Sequence, residues 1–173
     1  MPQQITLYRI FVSAPSDVVA EQTIVEELLT DWNRQHGIRE QTRVELIDWR
    51  TGTYPATGDR PQAIINKQAL DPSDIVVAIF RGRFGTPTGK AESGTVEEIE
   101  RGIKQGKQVM VYFGPGEKSR GNQGAQIEKF KKRFGQKALY HVFTDPTSFQ
   151  KAFRQHLANV MNEILQTKAH RLQ

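Results

Sequence analysis

The chain contains no cysteine among its 173 residues. Disulfide bonds, thiolate metal sites and a cysteine nucleophile are therefore excluded. No apolar run approaches the roughly 20 residues that a membrane-spanning helix needs. The first residues do not combine a basic segment with an apolar one, so a signal peptide is not predicted. These absences are compatible with a reducing compartment, and we expect a cytoplasmic protein that does not associate with membranes.

Several familiar site motifs are also missing. The four histidines are scattered, without the spacing of metal ligands. The segment Gly85–Lys90 has one residue too few between its glycines for a P-loop, and no G-x-G-x-x-G motif follows the first predicted strand. The first and third predicted strands do not end in the aspartates of a phospho-acceptor receiver domain. We therefore predict no metal ion and no resident cofactor.

The net charge of +5 is modest, and much of the positive excess lies between residues 118 and 137 and in the C-terminal tail. The basic residues alternate with apolar ones such as Ile127, Phe130 and Phe134, a pattern typical of the solvated face of an amphipathic helix. A surface for nucleic acid or another anionic partner is the alternative. No nucleic-acid motif accompanies the charge, so we do not expect direct binding to nucleic acid.

Strand-like and helix-like patterns alternate from one end of the chain to the other, which predicts a parallel sheet covered by helices on both faces. The length fits one domain, residues 1–173. The predicted helices cover approximately residues 18–36, 61–70, 95–105, 126–134 and 146–168, the third ended by Gly106. The predicted strands are Ile5–Ser13, Val44–Trp49, Ile75–Phe80, Gln108–Phe113 and Ala138–Phe143.

Five strands and their crossover helices favour a flavodoxin-like α/β fold, a doubly wound sheet with the strand order 2-1-3-4-5. Right-handed crossovers then place the first and third strands side by side. Ligands of such sheets bind where the strand order reverses, at the carboxyl ends of these two strands. The loops that meet there are Ser13–Asp17 and Arg81–Thr95, and Trp49–Tyr54 can fold over the same crevice.

The most informative segment is the loop rich in Gly, Thr and Arg that runs from Arg81 to Thr95, between a buried strand and a helix start. Glu98 falls in the first turn of that helix. A carboxylate held there beside arginines and backbone amides can stabilise a positive charge that develops on a sugar. The alternative is structural, because Thr95-Val-Glu-Glu98 is also a capping-box pattern, in which Glu98 would only satisfy an orphan amide.

Other residues near this point have comparable alternatives. Arg81 or Arg83 could hold a phosphate or carboxylate by a forked contact, or be a surface arginine. Ser13 could bond a ribose hydroxyl, or cap a loop. Trp49 and Tyr54 could stack on a ring, although Trp49 would equally suit the core. Phe84 suits packing as well as ligand contact. We expect Ser13, the segment Arg81–Phe84 and Glu98 to converge on one crevice, with Trp49 or Tyr54 on its rim.

Five blocks of the sequence resemble a family of bacterial TIR-like domains that occur attached to signalling ATPases. The resemblance covers about residues 5–113. Part of it, Ser93–Ile99, is also similar to the S-G-T-x-x-E segment of nucleoside deoxyribosyltransferases, in which the glutamate acts at the anomeric carbon. The blocks are Ile10-Phe-Val-Ser-Ala-Pro-Ser-Asp-Val18, Trp49 with Tyr54-Pro55, Pro61-Gln-Ala-Ile-Ile-Asn66, Arg83-Phe-Gly-Thr-Pro-Thr-Gly89 and Ser93-Gly-Thr-Val-Glu-Glu98.

The TIR resemblance implies NAD as the substrate, cleaved at the nicotinamide–ribose bond, self-association on activation, and a place in anti-phage or stress signalling. Residue by residue, the catalytic role falls on Glu98. The Trp-Cys pair that precedes this glutamate in many TIR domains is absent. No sensor domain is present in the chain, so a separate protein would deliver the trigger, or the chain is an excised domain. The residues expected to contact substrate are Ser13, Trp49, Tyr54, Arg81, Arg83, Phe84, Ser93 and Thr95.

Two other functions stay open on the sequence. The chain could be a non-catalytic TIR-like adaptor that works by association alone, or an N-glycosidase of nucleosides or nucleotides. A test of NAD consumption separates the adaptor from the NAD-cleaving enzyme. The identity of the substrate that releases its base separates the two enzymes.

Overall fold

Five parallel β-strands form the sheet of the computed structural model, which describes residues 1–116 and 122–171 without the side chains of Trp49 and Arg171. The order β2-β1-β3-β4-β5 confirms the predicted flavodoxin-like topology. β1 and β3 are neighbours, with Ser13 beside Ala78, so the switch point lies between their carboxyl ends. The strands are β1 (Thr6–Ser13), β2 (Thr42–Ile47), β3 (Ile75–Phe80), β4 (Gln108–Phe113) and β5 (His141–Val142).

Helices connect the strands and cover both faces of the sheet. Pro61 opens α3, and Gly106 follows the end of α4 with a positive φ of 69°, a conformation that glycine adopts without steric cost. No helix in the described ranges has the length and hydropathy needed to cross a membrane. The helices are α1 (Val19–Trp32), α2 (Trp49–Gly52), α3 (Pro61–Ile65), α4 (Gly94–Lys104), α5 (Gln123–Gly135) and α6 (Pro146–Arg171), with π-helical turns Asn33–Gly37 after α1 and Asn66–Leu70 after α3.

The central strand β3 is buried on both faces, since all six of its residues have no solvent exposure. Ile75, Val77 and Ile79 pack into the apolar cluster that contains α1 and α6. The alternate residues of β3 pack toward the π-helical turn Asn66–Leu70, α4 and α5 on the opposite face. A continuous apolar run is what a strand covered on both faces requires, so β3 is held firmly where its carboxyl end meets the loop at Arg81.

The long C-terminal helix α6 closes one face of the sheet. The side chains of Phe149, Phe153 and Leu157 recur at intervals of four residues and are buried. Burying each such side chain stabilises the fold by about 1.5–3 kcal/mol. At the far end of the helix, Lys168 Nζ donates to Thr6 Oγ1 over 2.7 Å. This bond joins the end of α6 to the first residue of β1.

Two strands differ from the prediction. β2 ends at Ile47, before the predicted limit at Trp49, because Asp48 caps α2: its Oδ1 accepts from the amide of Arg50 over 2.9 Å. β5 contains only His141 and Val142, where Ala138–Phe143 was predicted. The amide of Ala138 is used by the end of the preceding helix, where it donates to the carbonyl of Phe134 over 3.0 Å.

A histidine of β5, His141, and a histidine of α6, His156, form a ring pair. The rings of His141 and His156 lie 5.1 Å apart, and His156 Nδ1 is hydrogen-bonded to the hydroxyl of Tyr112 over 2.8 Å. Burial lowers the pKa of His156 below its ordinary value of 6.5, and the neighbouring His141 acts in the same direction. The fold therefore favours the neutral form of this imidazole.

This pair predicts a loss of stability in mild acid. Because folding lowers the pKa of His156, the unfolded chain binds the proton more readily, and stability present above the ordinary pKa of 6.5 falls as the pH drops. The free energy of unfolding in urea, measured at about pH 7.5 and about pH 5.5, should decrease less in His156→Gln than in wild type. His170→Gln, an exposed change on the same helix, should behave as wild type. An equal decrease in all three proteins would contradict the assignment.

Candidate active site

The candidate site lies at the switch point, where Ser13 ends β1 and α4 begins behind the loop that follows β3. Glu98 on α4 is 8% exposed, and its side chain points toward β1. One carboxyl oxygen, Oε2, accepts a hydrogen bond from the hydroxyl of Ser13. The other, Oε1, accepts from Gln62 Nε2 of α3 over 2.8 Å. The carboxyl group thus joins a strand and two helices at one point.

Capping does not explain the position of Glu98. The N-cap of α4 is Ser93, whose Oγ accepts from the amide of Val96 over 3.3 Å. Thr95 is a buried residue of the first turn, and it does not cap the helix. The capping-box interpretation of Thr95–Glu98 is therefore wrong, because the helix begins two residues earlier than that pattern requires. The hydroxyl of Ser93, which was expected to contact substrate, is used by the cap.

The neighbouring carboxylate, Glu97, has a different environment. Arg60 binds it through both terminal nitrogens, with Nη1 2.8 Å from Oε2. Asn66 Nδ2 donates to Oε1 over 3.0 Å, and Thr88 Oγ1 donates to Oε2 over 2.5 Å. The hydrogen bonds from Arg60 hold the pKa of Glu97 below its ordinary value. Glu97 is therefore an ionised group that fastens α3 and the Arg81–Thr95 loop to α4.

Burial has the opposite effect on Glu98. It raises the pKa of Glu98 from 4.5 to about 7, against the hydrogen bonds from Ser13 and Gln62, which favour the ionised form. The negative charge of Glu97 raises the pKa of Glu98 further. The carboxyl group is consequently near its titration midpoint at neutral pH. A cation placed beside it would lower this pKa and draw out the carboxylate.

The two arginines after β3 do not contact Glu98 in the described part of the chain. Arg81 Nε donates to the carbonyl of Pro115 over 2.9 Å, and its Nη1 lies 3.5 Å from Oε1 of Glu21. Arg83 Nη1 donates to Ser16 Oγ over 3.1 Å. The expected convergence with Ser13 and Glu98 is therefore incomplete. Instead, the arginines join the turn after β3 to the start of α1 and to the loop after β4.

Phe84 was expected to contact a ligand, but it lies in the core. Its side chain is 1% exposed and stacks on Phe80 in the core, with ring centroids 5.9 Å apart. Tyr54 is 68% exposed, and its backbone amide donates a hydrogen bond to Gln68 Oε1 over 2.9 Å. The side chain of Trp49 lies outside the described part of the structure.

Sequence reasoning missed the groups that position the site. Gln62 and Asn66 lie four residues apart in an otherwise apolar segment, and this spacing puts them on one side of a helix. Asp17 was also missed: its Oδ2 accepts from the amides of Gly82 and Arg83 over 2.8 and 3.0 Å. The helical spacing of Gln62 and Asn66 was the available signal. No local pattern identifies Asp17, whose partners are about 65 residues away.

The arrangement suits the stabilisation of a positive charge by a buried carboxyl group. A carboxyl group lies beside a hydroxyl and an amide in a region with little water, where its charge acts more strongly than in solvent. In the described ranges, no cluster of three or more His, Asp or Glu side chains could hold a metal ion. The site can therefore favour a cationic centre, with Ser13 and Gln62 as its immediate polar neighbours.

A protein-family model described as "Domain of unknown function (DUF4062)" matches residues 9–158. This match begins within β1, covers the other four strands and includes the first half of α6. It also includes Ser13, Gln62, Glu97 and Glu98. No match is found among curated proteins.

Solved structures share the fold at low sequence identity. The apo translation elongation factor SelB from Methanococcus maripaludis aligns with 95% of this chain at 16% identity and a TM-score of 0.51, and the chain spans 36% of that protein. Flavodoxin 1 from Bacillus cereus aligns with 89% of this chain and 97% of its own, at 12% identity and a TM-score of 0.42. S. aureus homoserine dehydrogenase aligns with 82% of this chain and 33% of its own, at 11% identity and a TM-score of 0.38. Of these three structures, SelB alone has a TM-score above 0.5, and its likeness concerns the fold alone.

Because the carboxyl group of Glu98 is buried, we predict that Glu98→Gln stabilises the protein at alkaline pH. The folded state raises the pKa of Glu98 from 4.5 to about 7, so its contribution is full below the ordinary pKa and is lost as the pH rises through 7. Glutamine imitates the protonated form, because its carbonyl oxygen can accept from Gln62 and its amide nitrogen can donate to the hydroxyl oxygen of Ser13. At about pH 8 the variant should gain about 3 kcal/mol in unfolding free energy, and at about pH 4.5 nearly nothing.

Urea unfolding at the two pH values measures this difference. The matched control is Glu100→Gln, an exposed position on the same helix, which should not change stability at either pH. If wild type is instead more stable than Glu98→Gln at about pH 8, the fold favours the ionised carboxylate. That result would contradict the prediction that burial favours the protonated form.

Proposed function

The chain belongs to the family described as "Domain of unknown function (DUF4062)", and from its buried carboxyl group we propose that it cleaves NAD at the nicotinamide–ribose bond, as a glycohydrolase or cyclase. The observation that carries this proposal is Glu98, held at the switch point by Ser13 and Gln62. The resemblance of the sequence to enzymatic TIR domains puts their glutamate at this position.

The proposed reaction fits a site built on one carboxyl group. Nicotinamide leaves as a neutral base, because the electron pair of the broken C1′–N bond cancels the positive charge of its ring. No general acid is then required. The ribose becomes oxocarbenium-like, as in glycoside hydrolysis, and the Glu98 carboxylate stabilises that charge. Water adds to C1′ and loses a proton, which gives ADP-ribose; attack by a nitrogen of the adenine ring gives the cyclic product.

The protonation of Glu98 matters for this chemistry. A pKa of about 7 leaves the carboxyl group partly protonated in the resting site. The positively charged nicotinamide ring of NAD would favour the carboxylate as it approaches, so the stabilising charge forms when substrate binds. Ser13 and Gln62 then hold the carboxylate oxygens in place, and Ser13 can also bond a ribose hydroxyl.

The proposal includes activation by assembly. In the single chain Glu98 is 8% exposed and both of its oxygens are bonded, so substrate needs a movement that opens the site. Self-association would supply that movement, as the TIR resemblance implies. We place the protein in anti-phage or stress signalling in the cytoplasm on the same resemblance.

Loss of the carboxylate should abolish NAD cleavage. We expect Glu98→Gln to lower the rate of nicotinamide release by at least about 100-fold, since one preorganised group that stabilises transition-state charge contributes that much. The measurement is nicotinamide release from NAD by a concentrated preparation. Glu100→Gln, which removes a carboxylate from the same helix at an exposed position, should keep wild-type activity.

Other outcomes discriminate the alternatives. Equal activity of Glu98→Gln and wild type would refute a carboxylate mechanism. Release of a base from nucleosides or nucleotides but not of nicotinamide from NAD would indicate the nucleoside N-glycosidase instead. Absence of all cleavage, with association intact, would leave the adaptor function.

The activation step predicts a dependence on protein concentration. The turnover of NAD per protomer should rise as the protein passes from dilute monomer to concentrated or crowded conditions, because assembly opens the site. A dilution series combined with light scattering measures both quantities on the same samples. Turnover that is high and constant down to clearly monomeric dilution would show that the chain needs no partner.

A further inference from the structure

A second concave site lies at the carboxyl ends of β3, β4 and β5. Its volume is about 530 Å³, and its walls include Arg81, Phe113, Lys131, Val142 and Phe143. Pockets for small molecules typically measure roughly 300–1,000 Å³. Glu98 does not line this pocket. The pocket is therefore distinct from the candidate active site, although both lie along the same edge of the sheet.

Contacts to the backbone after β3 and β4 fix one wall of the pocket. The amide of Gly114 donates to the carbonyl of Phe80 over 2.8 Å, and Arg81 Nε donates to the carbonyl of Pro115 over 2.9 Å. A Cβ on Gly116 would lie 2.5 Å from the Cα of Gly82, so the two chain segments touch where only glycine fits. These contacts fix the wall before any ligand arrives, which lowers the entropy lost on binding.

Arg81 brings a fixed positive charge to this pocket. Its guanidinium is held from behind by Glu21, whose side chain has no solvent exposure and whose Oε1 lies 3.5 Å from Arg81 Nη1. The described contacts of Arg81 use Nε and Nη1. A planar guanidinium held in this way is suited to phosphate oxygens.

Lys131 brings the second positive charge. Its Nζ lies 5.6 Å from the ring centre of Phe113 and 5.8 Å from that of Tyr140. Glu128, at 3.9 Å, is its acidic neighbour, and the side chain of that glutamate is 73% exposed. An ion pair exposed to this degree is weak. Two cations and the solvated Glu128 therefore line the pocket, while the second carboxylate, Glu21, is buried and does not line it.

We propose that this pocket binds a phosphorylated nucleoside. Arg81 and Lys131 contact the phosphate, and the apolar wall formed by Phe113, Val142 and Phe143 receives the nucleoside. The charges select an anion, whereas the volume and the apolar wall require a body larger than phosphate alone. This binding does not depend on the proposed NAD cleavage, because it uses none of the groups around Glu98.

Calorimetric titration of the full chain with ADP tests the proposal, since ADP has no nicotinamide and is not a substrate of the proposed reaction. We expect ADP to bind, and Lys131→Gln to weaken its Kd by about tenfold or more, as expected for the loss of a charge-assisted bond. The matched control is Lys151→Gln, which removes the same charge from an exposed position of α6. It should bind ADP as wild type does.

Two further variants locate the ligand. Val142→Trp should abolish ADP binding by filling the pocket, and the half-exposed position of Val142 permits the larger side chain. Glu98→Gln should leave ADP binding unchanged. Adenosine and inorganic pyrophosphate should each bind at least about tenfold more weakly than ADP, because each lacks one half of the recognised ligand.

Four results would overturn the proposal. The first is no binding of ADP at millimolar concentration, and the second is binding that neither Lys131→Gln nor Val142→Trp weakens. The third is loss of binding in Glu98→Gln alone, which would place ADP at the other site. The fourth is adenosine or pyrophosphate that binds as well as ADP, which would contradict a phosphorylated nucleoside as the ligand.

Discussion

The burial of the Glu98 carboxyl group is the constraint on which the arrangement at the carboxyl ends of the strands depends. Glu98 can be removed from water only if its oxygens are hydrogen-bonded, and its donors come from β1 and α3. Gln62 in turn bonds Asn66 over 3.1 Å. A Cβ at position 94 would lie 2.7 Å from Gln62 Oε1, so glycine at the start of α4 lets the amide approach. The position of three elements thus follows from the need to satisfy one side chain.

Adjacent residues on α4 use the same chemical group for opposite purposes. Glu97 is paired with a guanidinium that lowers its pKa, and it serves as a fixed charge in the architecture. Glu98 has no cationic partner in the described ranges, and burial raises its pKa to about 7. Environments that separate the pKa values of two carboxyl groups are how enzymes assign different roles to them. The pair explains how a site without cysteine can offer a reactive group on a rigid support.

The fold was predictable because its signals are local. Continuous apolar runs such as Ile75–Phe80 specify buried strands, and the four-residue spacing of Phe149 and Phe153 specifies a helix face. The position of Glu98 on the helix after β3 was predictable for the same reason, because the segment that contains it is long and distinctive. Its donor Gln62 was not assigned, because helical spacing shows which side of the helix Gln62 lies on but not its partner 36 residues away. The contacts of Arg81 were not predicted for the same reason. Its partners, Glu21 and the carbonyl of Pro115, come close to it only in the folded chain.

The bond between Lys168 and Thr6 has a consequence for how this fold can be built into larger proteins. It brings the beginning of β1 and the end of α6 together at the amino edge of the sheet, whereas Glu98 and the pocket lined by Arg81 and Lys131 lie at the carboxyl edge. A neighbour fused to either side of the chain would share one mounting point and would leave the opposite edge uncovered. Sequence joined at either side would therefore lie about the length of a strand away from Glu98.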